Sequence, residues 1–541
     1  MQNCDRKHDF NKYKIKIFVF YFILVFIVSF FFRFNLLSNF FVLDDFILIV
    51  NNTFITGINN LLEVLNPKNL FSVLPIRCGA RPLTVASLIV DYSVSALNPF
   101  WYHFINLFLH SVNSVLLFLF CYNLKKRNLF FALTSSLFYS FHPIQTEVIS
   151  VISFRADLLF SFFSLAALNL VGLFTIQDKK INRKFIYLLV FFFMCCAFFS
   201  KENAIVLPVI IFVFIYLFCN NNKNLLKVSF LSFIFILFLF FFFWIERFPI
   251  PLYFTIYPNL PLNVMPLSTV SNYINTIFSA LFCNILHVLY PVRLSVDYTL
   301  FFSGYVTGFM ILFVLSIISF IAYTKDKYIK FALITLIFMY LPVSNVVPLV
   351  NSVADRYLYF PMIAVSVLFG LLILKLQRVI NKNLLICFLS SLFMINIFIS
   401  YQRGCIYANQ YYLYSDAIIR APGNIRVLYN MSVAYFENKE YEKAINTLNT
   451  LMAVNPVYMR DKVWLITGMS YDKLNNKEKA LQYYHKAFLL NPKNEEINGK
   501  FISCFVSSRQ AFQYLLKHTK KINSAVVSVF QQYQNTVSSH Q

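Results

Sequence analysis

The stretch IKIFVFYFILVFIVSFFFR, residues 15–33, decides the fold of this chain. It is almost wholly apolar over a length that lets a helix cross a hydrocarbon core of ~30 Å. Similar apolar runs recur along the 541 residues, and they are continuous rather than alternating, which argues against a transmembrane β-barrel. The sequence therefore predicts an all-α, multi-pass membrane helical bundle.

Composition supports a membrane protein. Hydrophobic residues make up 59% of the chain and charged residues only 13%, a balance that fits no soluble domain of this length. The formal net charge is +23, and much of it lies in short loops near 125, 179, 223, 325–330 and 375–382. The positive-inside rule explains such loops as cytoplasmic, so the charge does not indicate a nucleic-acid partner.

Eleven spans are predicted, with a cytoplasmic N-terminus, in a bacterial inner membrane or in the endoplasmic reticulum of a eukaryote. They are expected at about 15–33, 101–123, 129–143, 156–176, 185–200, 204–219, 228–245, 304–323, 331–348, 356–374 and 384–400. Segment 272–290 is dotted with polar residues, and a crossing there would place Lys327 outside. We therefore expect it to lie at the outer interface or to re-enter.

The composition changes after Tyr401, which predicts a membrane domain at 1–402 and a soluble helical domain at 403–541. Four positions recur 36 residues apart: Leu428, Tyr435, Ala444 and Pro456 match Trp464, Tyr471, Ala480 and Pro492. The second copy fits the tetratricopeptide pattern, in which small residues let paired helices approach closely. We predict repeats at about 425–458 and 461–494, a degenerate cap after them, and an extracytoplasmic location.

Two adjacent acids, Asp44 and Asp45, follow the first apolar run in the segment FVLDD, residues 41–45. Charged residues at a membrane edge are costly and are functional candidates for that reason. Other polar residues at span ends share their side in the predicted topology: Arg81, His103, His142, Glu147, Arg155, Asp157, Lys201, Glu202, Asp355 and Arg356. The sequence thus predicts a cleft of mixed charge at one leaflet.

Such a cleft suits transfer from a lipid-linked, phosphate-bearing donor. Basic side chains at the bilayer edge can hold a phosphate, and a carboxylate can take the proton from an acceptor hydroxyl. Structural alternatives stay open: Asp44 could cap a helix, Lys201 and Glu202 could form a solvated turn, and Arg155 could pair with Asp157. The histidines show no recognisable metal spacing, although the two adjacent acids could coordinate a divalent ion.

Several motifs, taken in order, resemble the transmembrane and tetratricopeptide-repeat-containing family. They are Phe41-Val42-Leu43-Asp44-Asp45, Arg81-Pro82-Leu83-Thr84, Asn98-Pro99 with His103, Asn106 and His110, His142-Pro143-Ile144-Gln145-Thr146-Glu147-Val148, Arg155-Ala156-Asp157-Leu158, Ser200-Lys201-Glu202 and Asp355-Arg356-Tyr357-Leu358-Tyr359-Phe360-Pro361. That family is similar to protein O-mannosyltransferases of the GT-C class. The chain departs from its pattern at Gln145, where His is frequent, and at Asp355, where Glu is common.

The resemblance implies a polyprenyl- or dolichyl-phosphate sugar donor, inverting transfer, and Asp44 or Asp45 as the base. We expect Arg81, Arg155, Lys201 and Arg356 to bind the donor phosphate. The predicted function is transfer of a mannose-like sugar to a protein Ser or Thr hydroxyl outside the cytoplasm, with the repeats presenting the protein. Alternatives are an oligosaccharide ligase or polymerase, and a non-catalytic membrane-anchored repeat scaffold.

Overall fold

The computed structural model describes residues 2–64, 66, 81–125, 127–173, 183–219, 226–227, 229–237, 270–300, 303–349 and 351–506. Throughout these residues the regular structure is helical and contains no strand, which confirms the all-α prediction. Several predictions fall partly outside the described residues: the spans at 156–176 and 228–245, the basic loops near 179 and 223, the domain at 403–541 and the cap after 494.

The chain divides into two compact units. The first comprises Met1–Val296 and Leu300–Tyr412, and the second comprises Asp297–Thr299 and Leu413–Gln541. The division thus follows Tyr412, and residue 402, the predicted boundary, lies within a helix that continues to Ile406. Arg403, just beyond the predicted boundary, hydrogen-bonds to Leu294 and to Asp355 of the first unit.

The α-helices are numbered in chain order. In the first unit they are α1 (Gln2–Phe31), α2 (Asn60–Glu63), α3 (Pro82–Ser95), α4 (Pro99–Leu124), α5 (Leu129–Phe141), α6 (Thr146–Ser150), α7 (Arg155–Gly172), α8 (Arg183–Ser200), α9 (Leu207–Phe218), α10 (Val270–Leu289), α11 (Gly304–Tyr323), α12 (Lys327–Tyr340), α13 (Pro361–Leu376) and α14 (Lys382–Ile406). Then follow α15 (Gln410–Arg420), which includes the division, α16 (Ile425–Glu437), α17 (Tyr441–Val454), α18 (Arg460–Lys473), α19 (Lys477–Leu490) and α20 (Glu495–Val506).

Five helices of the described residues are long and apolar enough to cross a membrane: Pro99–Leu124, Ile152–Gly172, Ser271–Leu289, Gly304–Tyr323 and Lys382–Ile406. Six shorter apolar helices lie at Lys16–Phe31, Pro82–Ser95, Leu129–Phe141, Lys184–Ser200, Glu202–Phe218 and Pro361–Leu376. A membrane protein follows from this set, while the total of eleven spans stays a prediction.

Helix α10 covers the segment that the sequence predicts not to cross. It is one continuous helix of 20 residues, without the break that a re-entrant loop requires. Near its start, Asn275 accepts a hydrogen bond from Thr307, and near its end the Val288 carbonyl lies 3.0 Å from Nε2 of His142. The predicted topology puts both partners at outer span ends. The length and composition of α10 would allow it to cross a membrane, so its placement along the outer interface stays a prediction.

The helices of the first unit pack closely where small residues permit it. At Gly370 of α13, an added Cβ would lie 2.0 Å from the Ser135 hydroxyl and 2.9 Å from the Phe131 ring on α5. Helix α4 begins with Pro99 after Asn98, whose side chain accepts a hydrogen bond from the backbone of Phe100. Proline at the first helical position and asparagine before it are favoured starts, so the sequence fixes where α4 begins.

The second unit contains antiparallel helix pairs that follow the repeat pattern. Ala480 and Ala487 of α19 are fully buried, as small residues at a tight helix contact require. A Cβ at Gly468 of α18 would lie 2.7 Å from the Tyr484 ring, so glycine permits this approach. Asn424 and Asn476 cap the starts of α16 and α19 with their side chains.

Candidate active site

Asp45 is a fully buried acid that joins two loops. Its carboxylate accepts hydrogen bonds from the backbone nitrogens of Val42, Ile152 and Ser153, at 3.1, 3.3 and 2.7 Å. Burial raises the pKa of Asp45 to about 7, although these N–H donors act in the opposite direction. The carboxylate thus links the loop after α1 to the connection that leads into α7. These contacts position the two segments relative to each other.

Asp44, its neighbour, is exposed. The residue before it, Leu43, has a φ of 54°, a left-handed conformation at the turn that precedes both acids. Among the described residues the Asp44 carboxylate makes no hydrogen bond, and its charge acts on the guanidinium of Arg356. This geometry disfavours a helix-capping role and leaves the carboxylate open to a substrate hydroxyl.

Glu147 and Arg356 form an ion pair beside Asp44. The Arg356 Nη1 lies 2.9 Å from Glu147 Oε1, and the Arg356 backbone nitrogen lies 2.8 Å from Oε2. Burial, joined by the nearby charge of Asp355, raises the pKa of Glu147 to about 7 against the opposing effect of Arg356. The Arg356 side chain is 18% exposed, and its guanidinium carbon lies 4.6 Å from the centre of the Phe154 ring.

Asp355 faces a different basic residue, Arg403. Their side chains lie 3.2 Å apart, and His287 of α10 approaches the second oxygen of Asp355 at 3.9 Å. Arg403 also donates to the Leu294 carbonyl at 2.6 Å and to the Tyr407 hydroxyl at 3.3 Å. Asp355 is therefore a buried anchor between α10 and α14 rather than an exposed cleft acid.

Arg155 is fully buried, and each of its three nitrogens has a protein partner. It forms an ion pair with Asp91 of α3, its Nε donates to Asn106 Oδ1 at 2.7 Å, and an Nη donates to the Tyr102 carbonyl at 3.0 Å. Burial raises the pKa of Asp91, and Arg155 counteracts that rise. Arg155 therefore pairs with Asp91 and not with Asp157, the partner in one of the structural alternatives.

Two further ion pairs connect α3, α7 and α8. Lys201 Nζ lies 2.6 Å from Asp157, and both side chains are almost inaccessible. Arg81 makes a two-pronged contact with Glu202, at 3.0 Å from Nε and 2.7 Å from Nη2. The Arg81 side chain is 24% exposed, so of the basic residues predicted to bind phosphate, Arg81 and Arg356 retain the most access.

The histidines lie inside the bundle. His103 is buried against the backbone of Asn39 and Phe40, while His110 Nδ1 lies 3.0 Å from the Tyr359 hydroxyl. His142 contacts the carbonyl of Val288 on α10. Across the part of the chain that the structure describes, no three His, Cys, Asp or Glu residues are grouped to hold a metal ion. Nothing in these contacts supports a bound divalent ion.

Three charged residues that were not singled out from the sequence also contact residues of the site: Arg33, Asp91 and Arg403. Arg33 is buried and donates to Thr146 Oγ1 at 2.8 Å and to the carbonyls of Ser140 and His142 at 3.0 and 3.1 Å. Each of the three lies within or at the end of an apolar stretch. That position, a charge where a helix should be apolar, is the signal that could have found them.

The structure therefore brings the predicted residues together as two connected groups. Asp44, Arg356, Glu147 and Asp355 interact through charge, and Arg403 completes this first group. The second group consists of three ion pairs, Arg155 with Asp91, Lys201 with Asp157 and Arg81 with Glu202. Asp45 is hydrogen-bonded to the residues just before α7, which carries members of the second group.

Comparison with models of known protein families identifies the repeats. Models of the tetratricopeptide repeat match residues 425–458 and 461–494, the two predicted ranges. The chain contains two tetratricopeptide repeats. The structure of ArnT from Cupriavidus metallidurans bound to undecaprenyl phosphate aligns over 91% of this chain and 88% of that chain, at 10% identity and a TM-score of 0.40.

Three proteins with similar sequences are all named protein O-mannosyl-transferase. Protein O-mannosyl-transferase F38B6.6 of Caenorhabditis elegans is 30% identical over 155 residues, which are 28% of this chain and 22% of the relative. Human protein O-mannosyl-transferase TMTC3 is 40% identical over 91 residues, 16% of this chain and 9% of the relative. Human protein O-mannosyl-transferase TMTC1 is 28% identical over 137 residues, which are 23% of this chain and 15% of the relative. The predicted resemblance is confirmed, and the chain spans less than a quarter of each relative's length.

Proposed function

We propose that this chain is a membrane glycosyltransferase of the GT-C type. It transfers a mannose-like sugar from a polyprenyl- or dolichyl-phosphate donor to a hydroxyl of a protein Ser or Thr. One observation carries the proposal: Asp44 presents an exposed carboxylate beside the charge of Arg356, on a loop that the buried Asp45 holds in place. The local similarity to protein O-mannosyl-transferases supports the class of reaction.

Asp44 acts as the general base in this proposal. It takes the proton of the acceptor hydroxyl while the hydroxyl oxygen forms a bond to the anomeric carbon of the sugar. The bond from that carbon to the phosphate oxygen breaks, and the lipid phosphate leaves with the electron pair, which inverts the anomeric configuration. A positioned base of this kind contributes about 10²–10⁴-fold to the rate.

The donor phosphate binds to the accessible basic residues. Arg356 and Arg81 keep part of their side chains exposed, and each is oriented by a carboxylate, Glu147 or Glu202. A guanidinium held in this way can stabilise the charge that develops on the leaving phosphate. Arg155 and Lys201, which are buried against Asp91 and Asp157, serve instead to position α3, α7 and α8 around the site.

The repeats bind the protein acceptor, and residues 403–541 with the candidate site face the extracytoplasmic side while the N-terminus is cytoplasmic. Tetratricopeptide repeats stack into extended surfaces suited to holding a polypeptide. The basic loops of the membrane domain support this orientation.

Incubation of the purified full-length protein with labelled polyprenyl-phosphate sugars and a Ser- and Thr-rich peptide tests the proposal. Mass spectrometry of the product should show the addition of a single hexose, with mannose as the preferred donor. Addition of a preassembled glycan would instead identify a ligase or polymerase. The absence of transfer from any donor, from a protein that stays folded, would favour the scaffold function and contradict the proposal.

A further inference from the structure

A cavity of about 270 Å³ lies at the end of the helices remote from Asp44. Its walls come from the ends of α4, α7 and α9 and from the start of α12. Helix α4 begins close to the candidate site, near His103, and its 26 residues reach about 39 Å. The cavity is therefore separated from the candidate site by roughly the thickness of a bilayer.

The mouth of the cavity is basic. Arg127 and Lys327 line it and are exposed, and the Lys327 Nζ lies 4.9 Å from the centre of the Phe218 ring. Lys125 lies over the ring of Tyr328, another lining residue, at 3.6 Å. Asp326, an acid near the mouth, is engaged with the backbone, because its carboxylate accepts from the nitrogens of Tyr328 and Ile329 at the start of α12. The charged residues that the structure describes as lining the cavity, Arg127 and Lys327, are both basic.

The backbone at Arg127 supports a role for its side chain. Arg127 has a φ of 64°, and its nitrogen donates to the Tyr122 carbonyl at the end of α4. This left-handed position favours glycine, so the fold alone gives no reason for arginine there. The wall behind the mouth is apolar and aromatic, with Phe120 and Phe214 in contact across it.

Asn169 contributes to the wall of the cavity. Its amide nitrogen donates to the carbonyls of Leu116 and Leu165, at 2.9 and 2.8 Å, which fixes the orientation of the side chain. Its Oδ1 is buried within the wall, so the basic and aromatic side chains form the surface that a ligand can reach.

We infer that this cavity binds the headgroup of an anionic glycerophospholipid in the leaflet opposite to Asp44. The phosphate contacts Arg127 and Lys327 at the mouth, and phosphatidylglycerol is a lipid of this class. The acyl chains leave along the aromatic wall into the bilayer. Basic pockets between transmembrane helices on the cytoplasmic side are suited to this chemistry. The bound lipid would join the ends of α4, α7, α9 and α12.

Two variants change the cavity in different ways. Arg127→Gln combined with Lys327→Gln removes the charge and keeps the space. Gly172→Leu fills the space and keeps the charge, because a Cβ at Gly172 meets no atom within 4 Å. Lys382→Gln is the matched control, since Lys382 is an exposed lysine of α14 that does not line the cavity. Circular dichroism confirms that each variant retains its helices.

The test is lipid binding to the purified full-length protein, measured by native mass spectrometry and by the melting temperature. Phosphatidylglycerol should bind more tightly than phosphatidylcholine, and each removed charge should weaken it about fivefold. Gly172→Leu should abolish the preference, and Lys382→Gln should leave it unchanged. Equal binding of both lipids would overturn the inference, as would an unaltered preference in both cavity variants. Stabilisation by inorganic phosphate or glycerol phosphate equal to that by the lipid would also overturn it, by identifying a soluble ligand.

Discussion

Glu147 receives two hydrogen bonds from Arg356, one from the backbone nitrogen at 2.8 Å and one from Nη1 at 2.9 Å. The Glu147 carboxylate is fully buried, whereas the Arg356 side chain is 18% exposed and is influenced by the charge of Asp44. Glu147 therefore holds Arg356 by its main chain and its side chain together. In this arrangement the buried Glu147 contributes to the stability of the site, and the partly exposed Arg356 is available to bind the donor phosphate.

Arg356→Gln, alone and combined with Glu147→Gln, should distinguish the effect of this ion pair on stability from its effect on donor binding. It leaves Glu147 buried without its charge partner, and we expect a loss of about 3–5 kcal/mol in the free energy of unfolding. Adding Glu147→Gln removes the unpaired charge, so the double variant should recover most of the stability while its KM for the lipid donor stays raised. Thermal unfolding and donor titration measure both. A double variant with a donor KM like that of the unaltered protein would show that Arg356 does not bind phosphate.

The pH dependence of stability should reflect Asp45 and Glu147. Both carboxyl groups have a pKa of about 7 in the folded protein, above the usual values of about 4 in an unfolded chain. The folded state therefore binds more protons between these values, and stability should fall as the pH rises from about 4 to about 7. Asp45→Asn should flatten the decrease in melting temperature over this window. A slope unchanged by the substitution would contradict the burial of an ionisable Asp45.

Asp91→Asn should affect folding rather than donor binding. The substitution leaves Arg155 buried without its ion pair, and removal of one partner of such a pair costs about 3–5 kcal/mol. Protein that remains folded at low temperature should keep the donor KM. A donor KM that rises tenfold with little loss of stability would instead return Arg155 to the residues that bind phosphate.

Gly468→Ala tests the packing of the second repeat. The new methyl group would meet the Tyr484 ring at 2.7 Å, so we expect overpacking that destabilises this region by about 1–3 kcal/mol. Gly499→Ala is the control, because a Cβ there meets no atom within 4 Å. Hydrogen exchange should increase across α18 and α19 in the first variant only. Equal protection in both variants would show that α18 and α19 are farther apart than the structure has them.

Local patterns predicted part of this molecule well. The repeats follow from residues such as Gly468 and Ala480, because a tight helix contact allows few side chains at a fixed spacing. The acids and bases at span ends were visible because charges are rare in an apolar chain. Their pairing was not visible: Arg155 has Asp91 as its partner rather than the neighbouring Asp157, since partners depend on how helices pack and not on their order.

Sequence reasoning also could not distinguish the two adjacent acids. Asp44 and Asp45 have the same side chain and are adjacent in the chain, and only the packing of the folded protein makes one exposed and the other buried. Arg33 was absorbed into the first apolar run, because length and hydropathy define a span even when a charge ends it, and Arg403 was assigned to the soluble domain. The number of spans stays a prediction for the same reason: α10 meets the criteria of length and composition whether it crosses or lies along the interface.

The most direct measurement is the rate of sugar transfer by Asp44→Asn, compared with Glu63→Gln as an exposed acid of the same loop region. The account predicts that Asp44→Asn lowers kcat by about 10²–10⁴-fold at an unchanged melting temperature and donor affinity, and that Glu63→Gln keeps full activity. A folded Asp44→Asn protein that transfers sugar as fast as the Glu63→Gln control would contradict the assignment of Asp44 as the base.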